Sequence, residues 1–281
     1  MEMNSVWKNA WTAAYDFIAQ PLREAREEQI RHLSSDQGGK LDGQVTVMLV
    51  SVAVLLTLQQ YYVIGGSSPI ASPIRNWLES CFNRIPALRY NDGDRLQGLG
   101  YWAIGNCILY VAIPAIIVLG IYRRPLSEYG AKLRGWHQNW WVYVAFYLLL
   151  FPPVVLASQW QSFQSKYPFY HLERGESVGP RFFVWELLYA IQFLSLEFFF
   201  RGYMIQAGRK RLGPYVIFVM TIPYCMIHFG KPIQETLGAI VAGILLGFMA
   251  LKTRSIWLGA ALHIAVAWTM DALAVWQKMA L

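Results

Sequence analysis

Residues 182–207 read FFVWELLYAIQFLSLEFFFRGYMIQA. The stretch is long and apolar enough to cross a bilayer as a helix, which takes about 20 residues. Yet it holds three full charges, Glu186, Glu197 and Arg201, the last two separated only by phenylalanines. A charged side chain at the bilayer centre costs about 3 kcal/mol or more unless it is paired or wetted, so one kept there marks a functional site by default.

The rest of the chain repeats the apolar pattern. Of its 281 residues 56% are hydrophobic and only 15% charged, and the apolar residues fall in blocks of span length. The spacing predicts an all-α polytopic membrane protein of about seven helices, with six to eight as the range. The expected spans are 44–64, 98–121, 140–158, 182–207, 214–229, 236–251 and 255–276. Residues 41–281 are expected to form one membrane domain. Residues 1–40 are expected to form an N-terminal helix on the cytoplasmic side or in the interface, followed by a linker, SSDQGGK (34–40). They contain no compact apolar core of a signal peptide, so the first span is expected to act as its own insertion signal.

Within 1–40, Trp7, Trp11, Tyr15 and Ile18 recur at helical spacing, with Pro21 expected to close the helix. Such a stripe fits a helix lying in the membrane interface. It equally fits packing against the protein's own spans. The connections 67–97 and 159–181 carry Trp, Phe and Tyr and are long enough to hold an interfacial or re-entrant piece.

Three scattered cysteines, Cys81, Cys107 and Cys225, suggest neither a disulfide framework nor a thiolate metal site. The net charge of +7 suits anionic lipid heads. Nucleic acid is not an expected partner, because the basic residues cap helices and form no stripe. Lys and Arg are richer on the side holding the N-terminus and the loops after spans two, four and six, which predicts a cytoplasmic N-terminus. In a bacterium that means the inner membrane.

All the ionisable residues inside spans lie in the last hundred residues: Glu186, Glu197, Arg201, His228, His263 and Asp271. Counted from the cytoplasmic ends at 1.5 Å per residue, Glu197 lies roughly 16 Å deep, His228 roughly 22 Å and His263 roughly 12 Å. Three helices thus carry a carboxylate and two imidazoles to similar depth; lateral closeness is an assumption. Glu197 and Arg201 are i and i+4 and share a face. Glu186 lies three turns earlier on that face, and Asp271 follows His263 by eight residues as a candidate partner for it. Tyr224, one turn before His228, reads as packing or as an acid. Gly238, Gly243 and Gly247 read as close-packing positions between helices.

LEFFFRG (196–202), YCMIH (224–228) and SIWLGAALHIAVA (255–267) resemble, in order and spacing, the motifs of the CAAX-protease and bacteriocin-processing family of intramembrane endopeptidases. The resemblance covers roughly 182–276. Its pattern is Glu-Glu-x-x-x-Arg, then Phe-x-x-x-His, then His-x-x-x-Asn. Glu197, Arg201, His228 and His263 match. The family's first glutamate, its water-activating base, is Leu196 here, and its oxyanion-holding asparagine is Ala267. The resemblance implies hydrolysis of a peptide bond in a membrane-associated protein or peptide. Glu197 would activate water oriented by His228, His263 would polarise the carbonyl, and Arg201 would hold Glu197 ionised. Glu186, Asp271 and Tyr224 would support the site. No cofactor is favoured. Two rivals stand beside this reading: Zn²⁺ held by Glu197, His228 and His263, and a non-catalytic scaffold or chaperone that uses the pocket to bind a partner.

Overall fold

The computed structural model describes residues 5–35, 40–64, 71–88, 94–172 and 178–279. The described residues are helical and contain no strand. In chain order the helices are α1 (Ser5–Leu33), α2 (Gly43–Ile64), α3 (Ala71–Asn83), α4 (Leu96–Ile121) and α5 (Trp140–Ala157). Then α6 (Pro180–Glu197) runs through a π-helical turn (Phe198–Met204) into α7 (Ile205–Leu212). The last three are α8 (Val216–Met226), α9 (Ile233–Thr253) and α10 (Trp257–Met279).

Six helical runs among the described residues are long and apolar enough to cross a membrane. The fourth, Pro180–Met226, is 47 residues long. As a straight rod it would measure about 70 Å, more than twice a hydrocarbon core of about 30 Å. It is not straight. Gly213 takes φ +56, Pro214 follows, and α8 folds back against the preceding arm, with Phe200 and Tyr224 ring centroids 5.3 Å apart. The run therefore turns back on itself, and the described residues hold six candidate spans, within the range of six to eight that hydropathy predicts.

The α6–α7 arm lies at the centre. Phe198, Phe199, Phe200, Tyr203, Met204 and Ile205 are all buried, which is why this stretch is apolar on every side. By contrast α5 is peripheral: Leu148, Leu149, Phe151 and Leu156 face outward, as lipid-facing side chains do. On α9, a Cβ at Gly243 would lie 2.9 Å from Thr221 and one at Gly247 2.9 Å from Met220, so both glycines let α9 close on α8. Gly238 has nothing within 4 Å and does not share that role.

Glu28 of α1 pairs with Arg209 at 2.7 Å and Arg254 at 3.7 Å, and Gln29 donates to the Arg211 carbonyl. The Ile256 amide donates to the Gly130 carbonyl and Trp257 Nε1 to that of Lys132. The N-terminal helix and the loops after spans two, four and six thus gather at one end of the bundle, as the alternating topology requires.

The structure corrects one expectation here. Pro21 does not close α1; it lies inside the helix, buried, and Ala25 and Gln29 dock beyond it on the bundle. That tertiary packing outweighs the local helix-breaking tendency of proline. Trp11, Tyr15 and Ile18 all point away from the protein, whereas Phe17, outside that stripe, packs on Trp141 and Phe248. The Trp7 side chain and positions 36–39 of the linker lie outside the described residues. In the 67–97 connection α3 packs on α4 through Leu78 and Tyr101. In the 159–181 connection Phe163 and Tyr167 bury against Ala274. Cys81, Cys107 and Cys225 are all unpaired.

Candidate active site

Glu197 ends α6 and is 0% exposed. Arg201, in the π-helical turn, is 1% exposed. Arg201 Nη1 lies 2.9 Å from Glu197 Oε1, so the two charges offset each other's burial. His263 Nδ1 lies 2.9 Å from the same oxygen. A carboxylate accepts only, so Nδ1 carries the proton and the lone pair of the neutral ring is on Nε2. The Tyr224 hydroxyl sits 3.1 Å from that Nε2, placed to donate to it when the ring is neutral. Arg201, Glu197, His263 and Tyr224 form one continuous polar chain in an apolar surround, drawn from the α6–α7 arm, α8 and α10.

His228 joins through Tyr224. The two rings meet edge to face with centroids 4.9 Å apart, and His228 Nδ1 donates to the Tyr224 carbonyl at 2.8 Å. That bond again leaves Nε2 as the free nitrogen. The Arg201 guanidinium carbon lies 4.0 Å from the centroid of the Tyr224 ring, a cation–π distance. Tyr224 therefore touches every member of the site except Glu197. The lateral convergence that sequence could only assume is present.

Two residues that sequence reasoning passed over complete the shell. Phe193 stacks on the His263 ring at 4.8 Å. Gly259 makes room for the carboxylate: a Cβ there would lie 2.7 Å from Glu197 Oε2. Phe193 is four residues before Glu197 and Gly259 four before His263, so helical spacing alone could have pointed to both. Among the described residues Glu197 Oε2 has no hydrogen-bond partner.

Asp271 and Glu186 lie elsewhere. Asp271 is fully buried and accepts from Trp185 Nε1 at 3.1 Å, and the Glu186 carboxyl group faces it. Both belong to a separate polar pair about 12 Å further along α10 from His263. Neither contacts the imidazoles.

A bound Zn²⁺ would need open lone pairs from three donors. His263 Nδ1 is held by Glu197, so only its Nε2 could face a metal. Among the described residues no group of three His, Cys, Asp or Glu is placed to hold a metal ion. The donor set does not fit the metal.

No curated protein and no solved structure matches the chain. A family model does, over less than half of its length. Residues 178–269, the segment that carries Glu197, Arg201, Tyr224, His228 and His263, match the type II CAAX prenyl endopeptidase Rce1-like family.

Proposed function

We propose that this protein is an intramembrane endopeptidase that hydrolyses a peptide bond of a membrane-associated protein or peptide, without a metal. The observation that carries the reading is the Glu197–His263 contact at 2.9 Å, which fixes the imidazole tautomer and aims Nε2 away from the carboxylate. A carboxylate, an oriented imidazole and a polar group at its far nitrogen are the components of general-base hydrolysis.

Proton transfer is placed at His263 and not at Glu197. Glu197 is sealed from solvent and shares Oε1 between two cationic or N–H partners, which makes it a poor base and a good anchor. The His263 side chain is 16% exposed, the most accessible in the chain of contacts. In this scheme His263 Nε2 takes a proton from water while His228 Nε2 accepts the other hydrogen and orients it. Hydroxide adds to the carbonyl carbon. The carbon–nitrogen bond then breaks, and the imidazolium returns its proton to the leaving amine. Glu197 stabilises the imidazolium, and Arg201 offsets the burial of the Glu197 carboxylate. The N-terminus is cytoplasmic in this reading, because the basic ends of α7 and α9 gather on its side.

The test is comparative proteomics of membrane peptides in cells carrying wild type or Glu197→Gln, followed by cleavage of the accumulated peptide by purified protein in nanodiscs. Glu197→Gln should slow cleavage about 10³–10⁴-fold, the scale for losing a carboxylate that fixes a catalytic tautomer. The replacement of the family's two residues by Leu196 and Ala267 keeps the scaffold reading in contention. Identical peptide profiles, together with full cellular function in a His228→Ala, His263→Ala double variant, would establish that rival.

A further inference from the structure

We infer that Tyr224 is a catalytic residue of this site: its hydroxyl caps the base at rest and donates to the oxyanion during hydrolysis. The inference rests on the hydrolase reading above and adds a role that a packing tyrosine would not have.

The geometry carries it. Hydrolysis needs a hydrogen-bond donor close to the attacking oxygen, because the carbonyl oxygen that gains charge sits next to the carbon being attacked. The Tyr224 hydroxyl is 3.1 Å from His263 Nε2, the atom that would hold the water. A carbonyl carbon attacked from Nε2 would therefore bring its oxygen within reach of this hydroxyl. Position 267, one turn past His263, is alanine and offers no side-chain donor.

The hydroxyl's present partner explains how it switches. Neutral His263 has a single acceptor lone pair on Nε2. At rest Tyr224 donates to it. When water takes that lone pair, the Tyr224 proton loses its acceptor and is released toward the carbonyl oxygen. No proton leaves the phenol: the O–H bond is kept, and only its acceptor changes. The ring itself is held in place. It is 1% exposed, lies over the Arg201 guanidinium, and packs edge-on against His228 and Phe200. A donor fixed this rigidly needs little reorganisation as charge develops, the condition under which such donors are most effective. The nearby Arg201 charge further favours an anion at that point.

The test compares purified wild type, Tyr224→Phe and His263→Ala in nanodiscs. The substrate is the peptide found by the proteomic comparison. A phosphinate analogue of its scissile bond mimics the tetrahedral anion. Tyr224→Phe should lower kcat about 10²–10³-fold with KM unchanged, as expected for loss of one oxyanion donor. It should weaken phosphinate binding by the same factor, and its melting temperature should stay that of wild type. If the hydroxyl only caps the base, Tyr224→Phe will be as fast as wild type or faster, and the inference falls while the hydrolase reading stands. If kcat drops but phosphinate affinity is retained, the tyrosine positions His263 and does not touch the oxyanion, and the inference again falls alone. A wild-type protein that cleaves nothing and is indistinguishable from His263→Ala overturns both.

Discussion

Glu197 and His263, 66 residues apart in the chain, meet at 2.9 Å through Oε1 and Nδ1 inside a bundle that gives the carboxylate no contact with solvent. Their union depends on a third group. Without Arg201 the same carboxylate would be an isolated buried charge.

That dependence can be measured. Arg201→Met should destabilise the folded protein by about 3–5 kcal/mol, because it strands Glu197 in an apolar surround. The double variant Arg201→Met, Glu197→Leu should recover most of that loss, since it removes the stranded charge along with its partner. It should nonetheless show no turnover. Thermal unfolding in detergent, paired with the cleavage assay, checks both halves. A double variant no more stable than Arg201→Met would mean that the ion pair is not what the single variant disturbs.

Gly259 sets the spacing between the two helices that carry the Glu197–His263 contact. Gly259→Ala would put a methyl group 2.7 Å from Glu197 Oε2, so the carboxylate or α10 must shift. Overpacking of this kind costs about 1–3 kcal/mol. Because a displacement of about 1 Å in a positioned site can cost about 10²-fold in rate, turnover should fall by that order. Gly238→Ala, with open space around it, should leave rate and melting temperature unchanged.

Chelation separates the metal-free scheme from its rival. Protein treated with EDTA and passed over a desalting column should keep its turnover within about twofold, since Glu197, His228 and His263 are not grouped so as to hold a metal ion. Elemental analysis should find zinc well below one atom per chain. Loss of activity on chelation, restored by added Zn²⁺, would reverse the assignment.

Asp271→Asn tests whether the second buried acid pair belongs to the chemistry. Asp271 lies about 12 Å along α10 from His263 and bonds Trp185 instead. The variant should change kcat/KM by less than about threefold, and its effect should appear in stability. A loss as large as that of Glu197→Gln would place Asp271 in proton transfer.

The parts of this molecule that sequence reveals are those governed by local periodicity. The membrane-spanning helices follow from hydropathy, and the Glu197–Arg201 pair follows from i, i+4 spacing. Lateral contacts obey no such rule. Depth along each helix put Glu197, His228 and His263 at similar levels, but nothing local states which faces turn toward each other. Asp271 shows the difficulty: eight residues from His263 is about 80° of rotation, enough to point it at Trp185 and Glu186. Tyr224 was ambiguous for a related reason. Its ring is a packing element and its hydroxyl is a polar one, and only the position of α8 against α10 decides that both are used. Pro21 sits inside α1 because the force that keeps that helix intact is its docking on the bundle, which no window of sequence contains.

The π-helical turn at Phe198–Met204 has a consequence for how this gene can change length. Such a turn closes its hydrogen bonds one residue later than an α-helical turn does. Losing one residue there would let ordinary helix form with the downstream register kept, because the wide turn is what absorbs the extra residue; losing one from the α-helical arm before it would instead rotate everything downstream by about 100°. Single-codon deletions in the α6 arm should therefore be null alleles, whereas a deletion inside the π-helical turn that spares Arg201 should leave α7 against its neighbours.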